Sequence, residues 1–352
     1  MVTALTLETP VMTKFCQCCH RWWLLNAATV LGPLPLARYG IAPAVRAICR
    51  AMVVSASLVA LPVMAQNHAL VVSGLGGESA YTDSFNATGE AIAQALQSLD
   101  TADDLVVHLY DSPTRELVLA AIDSAAVRME ADTAATYTLV LVGHGTADST
   151  TWKFNIAGPD LTTEDLIAAL NAVPSQRQLV IVAASASGAT LEALSQPQRV
   201  VVTATKSGGE ANAVRFPEFL AEAVKNSQAD YDRNEILTVA EAFRFAQSRT
   251  ADYYEQQKLL ASEHARLNGE NASSMPLALL GSLKEANDDP AVAQLLEQRL
   301  ALEEQFIQLK NSKEERAVAT YYSELETLLI AIARLQQSID ATTGWSENDA
   351  ES

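Results

Sequence analysis

Two residues hold most of the chemistry this sequence offers. His144 stands in VLVGHG and Ser185 in VAASASGAT, about forty residues later. An imidazole within hydrogen-bond reach of a hydroxyl is the minimum for nucleophilic catalysis, because the ring takes the proton as the oxygen attacks. Gly145 lets its backbone N–H approach a ligand. The G-x-S-x-G pattern of a nucleophile elbow is absent, since Ala183 and Ser187 stand in the glycine places around Ser185. A conventional α/β-hydrolase is therefore disfavoured.

Two further clusters offer binding chemistry. In TKSGGEAN (205–212), Lys206, Ser207 and Glu210 are candidates to read a ligand's charge, against the reading of a solvated loop. In DYDRNEILTVAE (230–241), Asp230, Asp232 and Asn234 fall at positions 1, 3 and 5 of a calcium loop, and Glu241 falls at position 12. Calcium is the candidate cofactor. The competing reading is a metal-free turn that caps the next helix. Glu235 takes the place of the usual glycine at position 6 and is expected to resist the sharp turn. His264 has no second ligand at metal spacing and reads as structural. The SGLGGE run (73–78) lacks the lysine of a P-loop and the third glycine of a dinucleotide loop.

These residues need a scaffold. Apolar runs at 68–73, 105–111, 137–145, 179–182 and 199–205 read as strands, with helical spacing between them at 86–99, 113–129 and from about 162. Pro113 suits the first turn of the second helix. Short apolar strands alternating with helices predict a parallel sheet covered on both faces. Ligands on such sheets gather at the C-terminal strand ends. Here those ends carry SGLGGE, YDSP, GHGTAD, ASASG and TKSGGE.

A strand ending His-Gly, followed some forty residues later by a strand ending Ala-Cys-x-Ser-Gly, is the pattern of the legumain-like peptidases, family C13 of the caspase-like clan. VLVGHG and VAASASGAT resemble that pair, with Ala184, Ser187 and Gly188 in register. The resemblance spans roughly residues 68–270 and implies a caspase-like, mostly parallel α/β sheet with helices on both faces. It implies that His144 is the assisting base, and that the backbone N–H groups of Gly145 and Ser185 form the oxyanion hole. The departure falls on the nucleophile: Ser185 stands where the family has cysteine. A hydroxyl, unlike a thiol, is neither ionised nor strongly nucleophilic near neutral pH, so it needs a base with an orienting partner. Asp111 and Asp148 are the candidate orienters.

The flanks complete the reading. Residues 1–65 read as a cleaved leader, against the rival reading of an uncleaved anchor: Arg46 and Arg50 precede a short apolar run ending at Val63-Met64-Ala65. All four cysteines, Cys16, Cys18, Cys19 and Cys49, lie within it. The processed chain then has no thiol and no disulfide, and its location is periplasmic or secreted, with no membrane span left after processing. The whole chain has a net charge of −18 at pH 7, which disfavours nucleic acid as a partner. The α/β domain is expected over 66–284. A helical hairpin is expected over 285–342, its apolar positions alternating by three and four on either side of the charged KNSKEER, and a disordered tail over 343–352. Three functions follow: a binding or scaffold module for a peptide or protein ligand that lacks cysteine-peptidase activity; a hydrolase using Ser185 and His144; and an assembly protein that self-associates through the hairpin.

Overall fold

A computed structural model describes residues 66–99, 105–148, 151–287 and 289–343. The leader expected over 1–65 and the tail expected beyond Thr343 lie outside the described residues. The first strand, β1 (Asn67–Ser73), leads to α1 (Ser79–Gln97), β2 (Val106–Leu109), α2 (Arg115–Met129) and β3 (Thr136–Gly143). A small antiparallel unit follows, made of β4 (Gly145–Ala147), β5 (Trp152–Phe154) and β6 (Leu161–Thr162). The chain continues through α3 (Thr163–Ala172), β7 (Arg177–Ala184), the short α4 (Leu191–Leu194), β8 (Arg199–Thr203) and α5 (Phe216–Ala223). Then come β9 (Ile236–Thr238), α6 (Val239–Gln256), β10 (Arg266–Asn268), β11 (Pro276–Leu279) and α7 (Gly281–Ala286). Two long helices, α8 (Pro290–Asn311) and α9 (Val318–Thr343), complete the described chain.

The main sheet has the order β10-β8-β7-β3-β1-β2. Its five inner-sequence strands run parallel, and β10 pairs antiparallel with β8 at the edge. Side chains alternate across it with the two-residue period of a strand. Val140, Val142, Ile181 and Ala183 face the core beside α1, α5 and α6. Leu139, Leu141, Val180 and Val182 face the core beside α2 and α3. Both faces are thus apolar, as a parallel sheet covered by helices requires.

Helix starts follow local polar chemistry. Thr162 and Asp165 form a reciprocal capping box at α3. Asp165 also accepts from Arg115 Nε at 2.7 Å, which ties α3 to α2. Thr114, whose hydroxyl accepts from Leu117 N at 3.3 Å, caps α2. Pro113 therefore precedes the cap and does not lie in the first turn. Asp289 caps α8 with Pro290 in its first turn.

The last two helices break where the charged run predicts, between Asn311 and Val318. They pack along one another, and Arg299 on α8 donates to Gln336 on α9. Val292, Leu296 and Ile339 join Ile236, Leu279 and Leu283 in a third apolar cluster. Arg299, which interrupts the apolar stripe in the sequence, is 4% exposed and donates to the carbonyl of Asn234 at 3.1 Å. Among the described residues no helix is long and apolar enough to cross a membrane.

Candidate functional site

The register of the two central strands pairs Gly143 with Ala184. His144 and Ser185 are the next residues on each, so neighbouring strand ends, about 5 Å apart, deliver them side by side. Gly145 is held tightly: a Cβ there would stand 2.7 Å from the Ser185 carbonyl oxygen and 2.6 Å from Trp152 Nε1. No larger residue fits without displacing one of them. Trp152, buried in β5, donates its indole N–H to that same Ser185 carbonyl at 3.0 Å. The small β4–β6 sheet thus clamps the backbone of both candidate residues.

The imidazole of His144 stands edge-on to Tyr81 and Phe85 of α1, with ring centroids 4.8 and 5.0 Å away. Burial pushes its pKa below the ordinary histidine value, and a hydrogen bond to the Gly76 backbone opposes that shift. The shift favours the neutral form of the ring. Neither aspartate suggested by the sequence as its orienter takes that role: Asp111 lines a cavity, and Asp148 accepts from Thr151 N at 2.9 Å and sits 4.0 Å from Lys153 Nζ.

Ser185 is 2% exposed, and among the described residues its hydroxyl makes no hydrogen bond, to His144 or to any other group. The turn after it is tight. Ala186 takes the left-handed conformation at φ 55°, which costs a non-glycine residue about 1–2 kcal/mol. Its N–H is bonded to the Glu210 carbonyl at 2.8 Å. Ser187 is fully buried and structural: Thr205 N donates to its oxygen at 3.2 Å. Gly188 is forced by contact, because a Cβ there would stand 2.1 Å from Ser207 N. Two serines of one turn thus have different fates, one with its hydroxyl buried without a hydrogen bond and one stitched to the neighbouring loop.

That loop carries Lys206, Ser207 and Glu210. Glu210 is engaged from within: its carboxylate accepts from Lys206 N at 2.8 Å and His264 N at 3.0 Å, meets His264 Nδ1 at 2.5 Å, and pairs with Lys206 Nζ at 3.3 Å. These bonds outweigh burial and hold the Glu210 pKa down. His264, structural as its lone spacing suggests, staples this loop. Glu263, unremarked in the sequence, is 3% exposed and receives Arg215 N at 2.7 Å, Phe216 N at 3.1 Å and Tyr254 Oη at 2.9 Å. It caps α5 and anchors the segment that brings His264 to Glu210.

The acidic loop forms a second, separate centre. Ligand atoms of Asp230, Asp232 and Glu241 lie within 4.8 Å of one another. Asn234 is turned differently: its side-chain oxygen accepts from Ile236 N at 2.7 Å, and its amide donates to Asp232 at 3.2 Å. Glu235 does not resist the turn as expected. It adopts φ 63°, and its carboxylate repays the strain by accepting from Ser282 Oγ at 2.7 Å and Leu283 N at 3.0 Å at the start of α7. Burial, with the negative charges of Glu241, Asp230 and Glu303, pushes Asp232 up to about 7. An all-oxygen set with excess negative charge is the donor chemistry a hard divalent cation takes. Glu241 also forms a capping box with Thr238 at α6, so both readings of this run, calcium loop and helix cap, have their contacts.

A cavity of about 460 Å³ opens at the ends of β1 and β2. Its wall is the Gly74–Gly77 loop on which the imidazole rests, and α1 contributes Thr82 and Asn86. Two other cavities, of about 390 Å³ between α8 and α9 and about 240 Å³ between α2 and α3, lie apart from the candidate pair.

No family model matches the chain, and no curated protein matches it. The fold is α/β with a mostly parallel sheet, and its register sets His144 and Ser185 at neighbouring strand ends, with Gly145 after the histidine.

Proposed function

We propose that this is an exported, legumain-like domain with a caspase-like sheet, which binds a peptide or protein ligand and lacks cysteine-peptidase activity. One observation carries the reading: the position that a thiol holds in that family is a buried serine with no hydrogen bond to the neighbouring imidazole. A serine that is not bonded to its base stays protonated and is a poor nucleophile. The clamped backbone at Gly145 and the cavity beyond it still offer a crevice lined with main-chain groups, the chemistry that reads an extended peptide. Export rests on the leader read in residues 1–65.

Calcium at Asp230, Asp232 and Glu241 would brace the loop on which α8 rests through Arg299. An antiparallel hairpin of α8 and α9 gives this protein a second surface. Val318, Tyr322, Leu329 and Ile330 are exposed along α9, and that apolar stripe supports self-association. The hydrolase reading is favoured by a different observation, the register that puts His144 and Ser185 at neighbouring strand ends, with burial favouring the neutral imidazole.

Incubating the chain with a mixed peptide pool, then identifying retained and released species by mass spectrometry, separates these readings. Retention of intact peptides is the expected result. No retention overturns the binding reading. Cleavage products that vanish in Ser185→Ala replace it with the hydrolase.

A further inference from the structure

We propose that the cavity at the ends of β1 and β2 is a recognition pocket for a basic side chain, and that Asp111 selects the cation. This rests on the peptide-binding reading of the crevice and names what that crevice takes. Four side chains of the lining, Asn86, Tyr110, Asp111 and Ser112, make no hydrogen bond or ion pair among the described residues. In a cavity of about 460 Å³ they offer one carboxylate, two hydroxyls and an amide. No lysine, arginine or histidine lines it. An anion would face an uncompensated carboxylate there. A divalent cation would find one charged ligand where its sites supply several. A guanidinium or ammonium fits the set, since each of its N–H groups meets an acceptor.

The backbone favours the same conclusion. Asp111 and Ser112 are consecutive non-glycine residues at φ 58° and 64°. Each costs about 1–2 kcal/mol relative to ordinary conformations, and such strain gathers where a side chain must be aimed. Ser73 and His108, whose Oγ and Nε2 are 2.9 Å apart, fix the ends of β1 and β2 beneath the cavity. The geometry also fits an extended ligand. β1 lies two strand spacings, about 10 Å, from β7, a span of about three extended residues. A peptide seated at Ser185 therefore reaches this pocket with a side chain a few residues away. The net charge of −18 attracts basic ligands at longer range.

The direct test uses benzamidine as a cationic probe and benzamide as its neutral counterpart, titrated into the full chain and followed by ligand-observed NMR. The proposal predicts that benzamidine binds about tenfold tighter than benzamide. Asp111→Asn should remove that difference while leaving the melting temperature and the weak benzamide signal in place. Equal binding of the two probes, or discrimination that survives in Asp111→Asn, overturns the pocket. Peptide pools that carry arginine or norleucine at one position give the second arm. If benzamidine discrimination holds and no pool is retained, the pocket stands and the peptide-binding reading fails. If pools are retained without preference for arginine, the reading stands and the pocket fails.

Discussion

Ala186 and Gly188 set the turn that presents Ser185, by opposite means. Ala186 tolerates a left-handed backbone because Glu210 takes its N–H, whereas Gly188 exists to let the 206–207 backbone touch the turn. Gly188→Ala should therefore be costly, since the obstructing atoms belong to the main chain. A loss of about 2–3 kcal/mol is expected in urea unfolding, and a loss under about 0.5 kcal/mol would show that the loop yields. His144 makes a pH prediction whose sign follows from its depressed pKa. The folded state binds fewer protons at this site than the unfolded chain, so its contribution is intact above the unfolded value of 6.5 and is lost as pH falls through it toward the folded value. His144→Gln should flatten the decline in stability between pH 7 and pH 5. An unchanged slope would mean the ring is solvated like an ordinary surface histidine.

The acidic loop and the helices around it behave as one element. Asp232 has the opposite sign from His144. Its raised pKa means that the folded state holds a proton the unfolded chain has released, so this contribution is complete below 3.8 and is lost as pH rises through about 7. Asp232→Asn should raise the melting temperature at pH 8 without metal and leave it unchanged at pH 3.5. If the loop takes calcium, millimolar calcium should raise the melting temperature of the natural chain at pH 8, and the Asn variant should lose most of that rise. No calcium response in the natural chain would reduce this run to a helix cap. The sequence suggests the carboxylates by their spacing. It does not suggest Glu303, which faces them from α8 some sixty to seventy residues away, or the way Glu235 offsets its strain at α7.

Across the whole molecule, what could be read in advance follows from how each feature is encoded. The parallel strands are legible because Val140–Val142 and Val180–Val182 are continuous apolar runs with turn residues after them. The meeting of His144 and Ser185 is legible because the ends of adjacent parallel strands must coincide. The β4–β6 sheet is not legible: its strands have two or three residues, too few to show a period, and the key contact of Trp152 is with a backbone carbonyl. The partner of His144 is likewise a main-chain group, which no residue type announces. The C-terminal helices show their apolar rhythm, but the burial of Arg299 against Asn234 joins segments that have no pattern in common. That contact makes a further prediction. Removing residues 289–352 uncovers Ile236, Leu279 and Leu283, so the truncated chain should melt earlier and, if α9 drives self-association, sediment as a monomer where the full chain does not. Equal masses for both chains would eliminate association through α9.

The central claim is that the crevice keeps peptidase-like geometry while its serine is inert. The most direct measurement is cleavage of a mixed peptide library by the natural chain, by Ser185→Cys, and by Ser185→Cys combined with His144→Ala, read by mass spectrometry of the products. The account predicts no cleavage by the natural chain, thiol-dependent cleavage by Ser185→Cys, and loss of that cleavage when His144 is also removed. Cleavage by the natural chain that depends on Ser185, or a Ser185→Cys variant with no activity, would contradict it.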